Sequence, residues 1–380
     1  MTIRENRMIS KIQKRTWAEI DLAAIRHNYT EIRRVLKPET RLLCVIKANA
    51  YGHGAERLAA EYSRLGADWF AVSSIEEAVP LRTSGVTKPI LILGYTPLEA
   101  ADILTSMNIS QCVYSLEYAK ALSAAATGPI KIHIKIDTGM SRIGFRDPDE
   151  IRESCGLPNL VPEGVFTHFA SADEGEDGES FTRMQFDRFT RTIEECGVDF
   201  ELKHCCNSAG ITDYPEFHLD MVRAGIILYG YQPSGDVRRK LYLVPAMTLR
   251  SVVSQVKTIH AGDKVSYGRT FTAGRDMKVA TIPVGYADGY WRSNSMNESK
   301  VIVNGVACPI IGRVCMDQLM VNADNVPDLT FGSSSDVELF GKRQTADVLA
   351  ANNGTINYEV LCAVGARVPR IYINEQCISL

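Results

Sequence analysis

The chain has 380 residues, of which 45% are hydrophobic and 23% are charged, which is typical of an ordinary globular protein. Its net charge of −3 and its scattered lysines and arginines argue against a basic face that binds nucleic acid. No apolar run approaches the roughly 20 residues that cross a bilayer, so we expect no membrane span.

The amino terminus and the cysteines indicate a compartment. The first residues, MTIRENRMISKIQKR, are polar and lack the apolar centre of a signal peptide. The ten cysteines do not form the paired C-x-x-C motifs of a zinc site, and most stand inside apolar runs. Buried free thiols are typical of a reducing compartment. The sequence therefore predicts a cytoplasmic protein with no metal site.

Eight short apolar runs alternate with amphipathic segments between residues 40 and 230. Continuous apolar runs are typical of strands that are covered on both faces. The runs are LLCVIK (42–47), WFAVSS (69–74), ILILGY (90–95), QCVYS (111–115), KIHIKID (131–137), GVFTHFA (164–170), LKHCCNS (202–208) and MVRAGIILYG (221–230). Eight βα units in about 200 residues predict a (β/α)8 TIM barrel. A doubly wound open sheet is the alternative architecture.

Two features between these runs indicate helices. Ala55, Leu58, Ala59 and Tyr62 recur at helical spacing after the first run. After the second run, Ser74 and Glu77 have the spacing of a capping box at the start of a helix.

The pattern changes between residues 233 and 245, and β-branched residues and turns predominate after it. The dipeptide Asn304-Gly305, between VIV and VACPI, predicts a two-residue hairpin. A short helix is expected over residues 358–364 with Asn357 as its cap, followed by a last strand, VPRIYI. The sequence thus predicts an α/β protein with an N-terminal barrel, residues 1–243, and a mostly β-strand C-terminal domain, residues 244–380.

Polar residues stand at the carboxyl ends of five predicted barrel strands, where barrel enzymes carry their chemistry. One such residue is often a satisfied core residue, but five strands with the same feature indicate a site. The residues are Lys47, Lys135 with Asp137, His168, His204 with Asn207 and Ser208, and Arg223.

The last two strands also predict a phosphate site. Ser208 of NSAG begins a predicted helix, and Gly225 lets the N–H groups of Gly225 and Ile226 approach a ligand closely. A strand-end lysine, Lys47, together with a phosphate site indicates pyridoxal phosphate (PLP), whose aldehyde requires an amine. Arg223 could face the pyridine nitrogen, and an arginine there would not readily let that nitrogen gain a proton.

Long, ordered motifs extend this interpretation over almost the whole chain. They are CVIKANAYGHG from Cys44, KIDTGMSRIGF (135–145), THFASAD (167–173), HCCNSAG (204–210), MVRAGIILYG (221–230), VSYGRTF (265–271), PVGYADGY (283–290), GRVCMDQLMV (312–321) and INYEVLC (356–362). With these motifs the chain resembles the alanine racemases, which are PLP enzymes of fold type III.

The resemblance implies two catalytic bases on opposite faces of the substrate. Lys47 would hold PLP and act as one base, and Tyr267 would be the other. In the family this tyrosine comes from the partner subunit, which implies a homodimer with shared active sites. His168 would hydrogen-bond Tyr267, and Arg223 would bond both that histidine and the ring nitrogen.

The resemblance also implies how the cofactor and the substrate are bound. His204 would support Arg223 or lie near the ring, and Lys135 aligns with a lysine that many members carry in carbamylated form. The phosphate ligands would be Tyr51, Ser208, Tyr358, Gly225 and Ile226. The substrate carboxylate would be bound by Arg142 and the N–H of Met316.

The implied function is the interconversion of L- and D-alanine, which supplies D-alanine for peptidoglycan. A serine-preferring racemase of the same fold is an alternative. In such relatives a smaller residue replaces the tyrosine aligned with Tyr358 and a membrane domain precedes the barrel, and this sequence has neither feature. A PLP carrier protein built on the barrel alone would lack VSYGRTF and GRVCMDQLMV. A related decarboxylase would bind phosphate with a glycine cluster, which the sequence does not contain.

Overall fold

The computed structural model describes residues 15–295 and 299–375. The prediction that the chain lacks a signal peptide was based on residues 1–15. Of these, only Arg15 lies within the described residues. The chain divides into two compact units, Ile25–Val244 and a unit that joins Met1–Ala24 to Pro245–Leu380. The sequence predicts a single boundary at 243/244, whereas the compact units divide between Val244 and Pro245 and also between Ala24 and Ile25.

Strand β1 (Thr16–Asp21) belongs to the unit that contains Pro245–Leu380. It pairs in antiparallel register with a strand that begins at Met247 and in parallel register with the last strand of the chain. Its partners along the sheet come from the carboxyl-terminal part of the sequence, and sequence patterning alone did not predict the strand.

Unit Ile25–Val244 is a barrel of eight parallel strands. They run in the hydrogen-bonded order β8-β7-β6-β5-β4-β3-β2-β9. The first and last strands of this order, β8 and β9, are joined to each other by two further backbone hydrogen bonds. Asp220 N–H donates to Lys203 O (3.2 Å), and Arg223 N–H donates to Cys206 O (3.0 Å). The strands are β2 (Arg41–Val45), β3 (Trp69–Val72), β4 (Ile90–Ile92), β5 (Ile109–Val113), β6 (Ile130–Lys135), β7 (Leu160–Phe166), β8 (Leu202–His204) and β9 (Met221–Ala224). The predicted TIM barrel is confirmed.

Helices alternate with these strands, as the amphipathic segments predict. They are α1 (Leu22–Arg34), α2 (Ala55–Leu65), α3 (Ile75–Thr83), α4 (Ala101–Ser106), α5 (Leu116–Ala125), α6 (Pro148–Cys155), α7 (Glu179–Cys196) and α8 (Ser208–Asp213). In α2 the predicted apolar face is confirmed, since Leu58, Ala59 and Tyr62 are fully buried. Among the helices within residues 15–295 and 299–375, none is long and apolar enough to cross a membrane.

The predicted capping box at the start of α3 is wrong. Ser74 occupies the cap position, but its side chain makes no hydrogen bond that caps the helix. The Glu77 carboxylate instead accepts from the N–H of Ser73 (2.7 Å) and from the N–H of Ala48 (2.6 Å). The carboxylate is drawn away from the cap because the loop after β2 presents an additional donor.

The other unit contains three sheets. A six-stranded sheet has the order β16-β15-β18-β10-β1-β19, and smaller sheets have the orders β11-β14-β17 and β12-β13. The strands are β10 (Met247–Val253), β11 (Gln255–Ile259), β12 (Lys264–Val265), β13 (Phe271–Thr272), β14 (Met277–Ile282), β15 (Lys300–Val303), β16 (Val306–Pro309), β17 (Leu319–Asn322), β18 (Gly332–Phe340) and β19 (Arg370–Ile373). The predicted mostly β-strand domain is confirmed.

Two local predictions in this unit had different outcomes. Asn304 and Gly305 form the predicted two-residue hairpin between β15 and β16, with φ angles of 47° and 83°. The helix predicted over residues 358–364 does not start as expected. After α9 (Ala346–Asn352), helix α10 (Asn357–Cys362) begins at Asn357, whose amide donates to Asp347 Oδ1 (2.7 Å) instead of capping the helix.

Candidate active site

Lys47 stands where β2 passes into a left-handed turn, Lys47–Tyr51. The φ angles from Ala48 to Tyr51 are 51°, 54°, 54° and 50°. Each such residue costs about 1–2 kcal/mol relative to a right-handed conformation. Bonds offset part of this strain, because Gly52 N–H donates to Ala48 O (2.9 Å) and Ala55 N–H donates to Asn49 Oδ1 (2.9 Å). Lys47 therefore lies at the carboxyl end of the barrel strand β2, and Tyr51 is the last residue of the turn.

The Glu77 carboxylate also stabilises this turn by accepting from Ala48 N–H, and its removal tests how much this hydrogen bond contributes to stability. Glu77→Ala is expected to lower the free energy of unfolding by about 1–2 kcal/mol, because hydrogen bonds to a charged group each contribute roughly 1.5–3 kcal/mol and solvent reaches this one. The measurement is urea unfolding followed by circular dichroism. Glu194→Ala, at an exposed position of helix α7, is the control, with an expected change below about 0.5 kcal/mol. Equal effects of the two substitutions would contradict the role given to Glu77.

Two hydroxyls and one backbone amide meet at the ends of β2, β8 and β9. Gly225 N–H donates to Ser208 Oγ (3.0 Å). A Cβ at Gly225 would lie 2.9 Å from the Tyr51 hydroxyl and 3.5 Å from Ser208 Oγ. Only glycine leaves this space open. Ser208 begins α8 as predicted, and Asn207 caps that helix by accepting from Gly210 N–H (2.9 Å). The predicted phosphate ligands Tyr51, Ser208 and Gly225 are thus brought together, with Ile226 next along the chain.

Arg223 lies on β9 and is only 3% exposed. Its NH1 nitrogen lies 3.0 Å from His204 Nδ1, and its NH2 nitrogen lies 3.3 Å from His168 Nδ1. The same nitrogens donate to the carbonyls of His204 (3.1 Å), Thr167 (2.7 Å) and Cys205 (2.9 Å). Desolvation lowers the pKa of Arg223 to about 10, so the guanidinium stays charged at neutral pH.

The two histidines beside Arg223 are held neutral. Burial is the largest cause that lowers the pKa of His168 far below its ordinary value, followed by the positive charges of Arg223, Arg142, Lys135 and Lys47. Burial and the charge of Arg223 do the same for His204. A neutral imidazole keeps one lone pair, so each can accept a hydrogen bond from the guanidinium.

Lys135 ends β6 and is 3% exposed. Its Nζ donates to Ile136 O (2.8 Å) and lies 5.6 Å from the centre of the Phe166 ring. Desolvation lowers the pKa of Lys135 to about 8, and the charges of Arg223 and Arg142 act in the same direction. A minority of this amine is therefore neutral, and hence nucleophilic, near physiological pH.

The loop that follows Lys135 is shaped by Asp137. Its Oδ1 accepts from Gly139 N–H (3.2 Å) and Ser141 N–H (2.8 Å), and its Oδ2 accepts from the Arg146 guanidinium (2.8 and 2.6 Å). Asp137 therefore acts on the conformation of the loop, and the predicted substrate ligand Arg142 is exposed on that loop.

The three other predicted site residues belong to the β-rich unit. Tyr267 is 69% exposed and Met316 is 53% exposed, whereas Tyr358 is half-buried on α10. The turn of Tyr267 is tied to the segment before Met316, because Ser266 Oγ donates to Arg313 O (2.7 Å) and lies 3.6 Å from Cys315 Sγ. The structure thus brings the turns that carry Tyr267 and Met316 together within this unit.

Sequence reasoning missed polar residues deeper in the barrel. His133 on β6 is fully buried, and its Nδ1 atom lies 3.0 Å from Nε2 of His204. A signal for it was present in KIHIK, where Lys131, His133 and Lys135 alternate with isoleucines and therefore share one face of the strand. Glu163 on β7 had no comparable signal.

Comparison with known proteins identifies the family of the chain. The family model described as "Alanine racemase, N-terminal domain" matches residues 20–233, and "Alanine racemase, C-terminal domain" matches residues 246–372. The chain belongs to the alanine racemase family. Alanine racemase of Desulfovibrio desulfuricans is 47% identical to it over 368 residues, which cover 94% of this chain and 98% of the relative.

Solved structures of alanine racemases share the fold over nearly the whole chain. The enzyme of Clostridium difficile 630 superposes with a TM-score of 0.89 at 42% identity and covers 95% of this chain and 96% of that one. The Bacillus anthracis alanine racemase with bound L-Ala-P gives a TM-score of 0.90 at 35% identity, with the same coverage. The predicted family is confirmed.

Proposed function

We propose that this protein is an alanine racemase that interconverts L- and D-alanine with PLP as its cofactor, and that it supplies D-alanine for peptidoglycan. Within the structure, one observation carries the proposal: a lysine at the end of β2 is followed by a turn that brings Tyr51 to Ser208 and Gly225. Family membership and the alanine racemase at 47% identity support alanine as the substrate.

The residues fit PLP in three respects. The space that a Cβ would fill at Gly225 is lined by two hydroxyls, which suit a phosphate. The Lys47 amine is of the type that bonds an aldehyde, and the charged Arg223 can donate to a pyridine nitrogen that remains unprotonated. When bound, PLP would accept the amino group of the substrate and delocalise the electrons of the Cα–H bond.

The chain would move the α-proton with two bases. Lys47 Nζ would act on one face of the substrate Cα, and the Tyr267 hydroxyl of the partner subunit would act on the other. Bases of opposite protonation state can remove a proton from one face and deliver one to the other. The exposure of Tyr267 on its own unit supports a role in a site shared within a homodimer.

The groups around Arg223 would determine which atoms of the site carry protons. His168 is neutral and accepts from Arg223 on its Nδ1, so its proton is on Nε2 and can be donated to the Tyr267 oxygen. A hydrogen bond from His168 would hold the Tyr267 oxygen in place for its role as a base.

The substrate carboxylate would be bound by Arg142 and by the backbone N–H of Met316. We further propose that Lys135 is carbamylated, since the lowered pKa leaves a neutral amine that can attack CO2. The ammonium first loses one proton, and the neutral amine then forms the Nζ–C bond and releases a second proton, so that a buried cation becomes an anion. That anion would give Arg142 a partner of opposite charge.

Carbamylation of Lys135 is testable by 13C NMR of the protein in 13C-labelled bicarbonate. We expect a carbamate resonance whose intensity, at constant dissolved CO2, increases from pH 6 to pH 8, because the neutral amine fraction grows as the pH approaches a pKa of about 8. Lys135→Ala should lack the resonance, and the exposed Lys257→Ala should retain it. A wild-type spectrum without the resonance at pH 8 would refute the modification.

The function itself is tested by assaying the purified protein against a panel of L-amino acids with polarimetric detection. We expect alanine to be racemised with the highest kcat/KM. A preference for serine would instead identify the serine-racemase alternative, and the absence of racemisation with every amino acid would refute the proposal.

We also propose a cytoplasmic location. Nine of the ten cysteines lie within the described residues, and none of these nine forms a disulfide. Most are buried in the core, as expected for a protein of a reducing compartment.

A further inference from the structure

A line of polar side chains extends from Arg223 into the barrel. Arg223 NH1 lies 3.0 Å from His204 Nδ1, and His204 Nε2 lies 3.0 Å from His133 Nδ1. His133 Nε2 in turn lies 3.4 Å from Glu163 Oε2. Both histidines are fully buried. Since His204 ends β8 while His133 and Glu163 lie within β6 and β7, the line runs from the site toward the opposite end of the strands.

The chemistry of the end groups fixes the direction of every donor in this line. A guanidinium has only N–H donors, so His204 Nδ1 must be an acceptor. A neutral His204 then carries its proton on Nε2 and donates it to His133 Nδ1. His133 consequently carries its proton on Nε2, the atom that lies 3.4 Å from the Glu163 carboxylate, which can only accept when ionised. One tautomer of each ring satisfies the line.

Packing holds both rings in these orientations. The His204 ring stacks on Phe166 with centroids 4.9 Å apart and 8° between the planes, and the His133 ring meets Trp69 edge-on at 5.2 Å. Gly164, the register partner of His133, is also required, because a Cβ there would lie 2.5 Å from His133 Nδ1. The absent side chain leaves room for the atom that accepts from His204.

Glu163 is held as an anion at the far end of the line. Ser110 Oγ donates to its Oε2 (2.8 Å), and Lys131 Nζ lies 3.0 Å from its Oε1. Burial alone would raise the pKa of Glu163, but the bonds from His133, Ser110 and Lys131 outweigh it and lower the pKa to about 2. A fixed negative charge polarises the hydrogen bonds in series with it and strengthens the acceptor at the other end.

We propose that His133 and Glu163 are positioning residues for Arg223: they fix the tautomer of His204 so that its Nδ1 lone pair holds the guanidinium. The importance of the Arg223 position rests on the proposed function, in which this side chain contacts both the cofactor ring and His168. Neither residue touches the substrate, and both act through His204.

The tautomer is measured directly by 15N NMR of the full-length protein labelled at histidine. For His204 we expect a protonated-type Nε2 resonance and an unprotonated-type Nδ1 resonance that do not change between pH 5.5 and pH 8.5. Protonation of His204 at Nδ1 would overturn the proposal. This readout does not depend on the substrate, so it is decisive even if alanine is not racemised.

Two substitutions of His133 separate positioning from packing. His133→Leu removes the acceptor for His204 and is expected to shift the His204 resonances. It should lower kcat/KM about tenfold in both directions, because the charge-assisted hydrogen bond from Arg223 to His204 is weakened once the tautomer is no longer fixed. His133→Asn keeps an acceptor oxygen near the Nδ1 position and should retain the tautomer with rates within about threefold of wild type. Identical behaviour of the two variants would overturn the proposal. His27→Leu, on the outer helix α1, is the control and should change neither readout.

Glu163→Ala provides an independent test at the far end of the line, where a fold defect is less expected. It should shift the His133 Nε2 resonance and lower kcat/KM by about threefold. Glu201→Ala, which removes an exposed glutamate paired with Arg41, is the matched control. An unchanged His133 spectrum in Glu163→Ala would refute the link to the carboxylate.

Discussion

Lys47→Ala is expected to abolish both the visible absorbance of the purified protein and its racemisation of alanine. The variant loses the only amine that the β2 end offers to the cofactor aldehyde, and it loses one of the two proposed bases. Removal of a general base alone costs typically 10²–10⁴-fold, and the loss of the covalent attachment adds to it. Absorbance spectra and a coupled D-alanine assay measure the two effects.

A matched control separates the amine of Lys47 from its charge. Lys47→Arg keeps a positive charge but cannot bond the aldehyde, so it should resemble the alanine variant. Lys257→Ala, in the β-rich unit, should retain wild-type absorbance and rate. Visible absorbance with continued racemisation in Lys47→Ala would show that the central assignment is wrong.

Tyr267→Phe is expected to slow proton removal from one enantiomer by about 10²–10⁴-fold and from the other far less. The asymmetry follows from two bases on opposite faces, of which only one is lost. Single-turnover exchange of the α-hydrogen in deuterium oxide, begun from each enantiomer separately, measures the two half-reactions. Equal losses from both enantiomers would count against the two-base mechanism.

Tyr242→Phe is the control for this substitution, since Tyr242 is an exposed tyrosine of the barrel unit. It should leave both exchange rates unchanged. The shared site is tested in parallel by sedimentation at assay concentration. A monomer with full activity would exclude a contribution of Tyr267 from a partner subunit.

Much of the barrel site could be predicted because each of its residues is recognisable from its own position in the sequence. Lys47, His168, His204 and Arg223 are reactive side chains at the ends of apolar strands, and the order of eight such strands fixes which ends meet. Gly225 could be predicted as a close approach of backbone to ligand, and the space beside its Cα agrees with that prediction. The catalytic roles of these residues remain predictions that the substitutions above test.

Glu77 and Glu163 illustrate what the sequence could not supply. Glu77 has the spacing of a capping box, yet its carboxylate accepts from Ala48, 29 residues earlier in the chain. Glu163 bonds Ser110, 53 residues away, and lies beside His133. Local spacing describes local donors only, so partners from neighbouring strands are invisible until the strands are in register.

The sequence by itself determined the family, the eight βα units, the β-rich second unit and the Asn304-Gly305 hairpin, because each depends on a local pattern or on long motifs. Only the tertiary structure decided that β1 joins the β-rich unit and that His133 connects His204 to Glu163. Both depend on hydrogen bonds between residues far apart in the chain. Such bonds are fixed by strand register and by the need to pair buried polar groups, which no local pattern specifies.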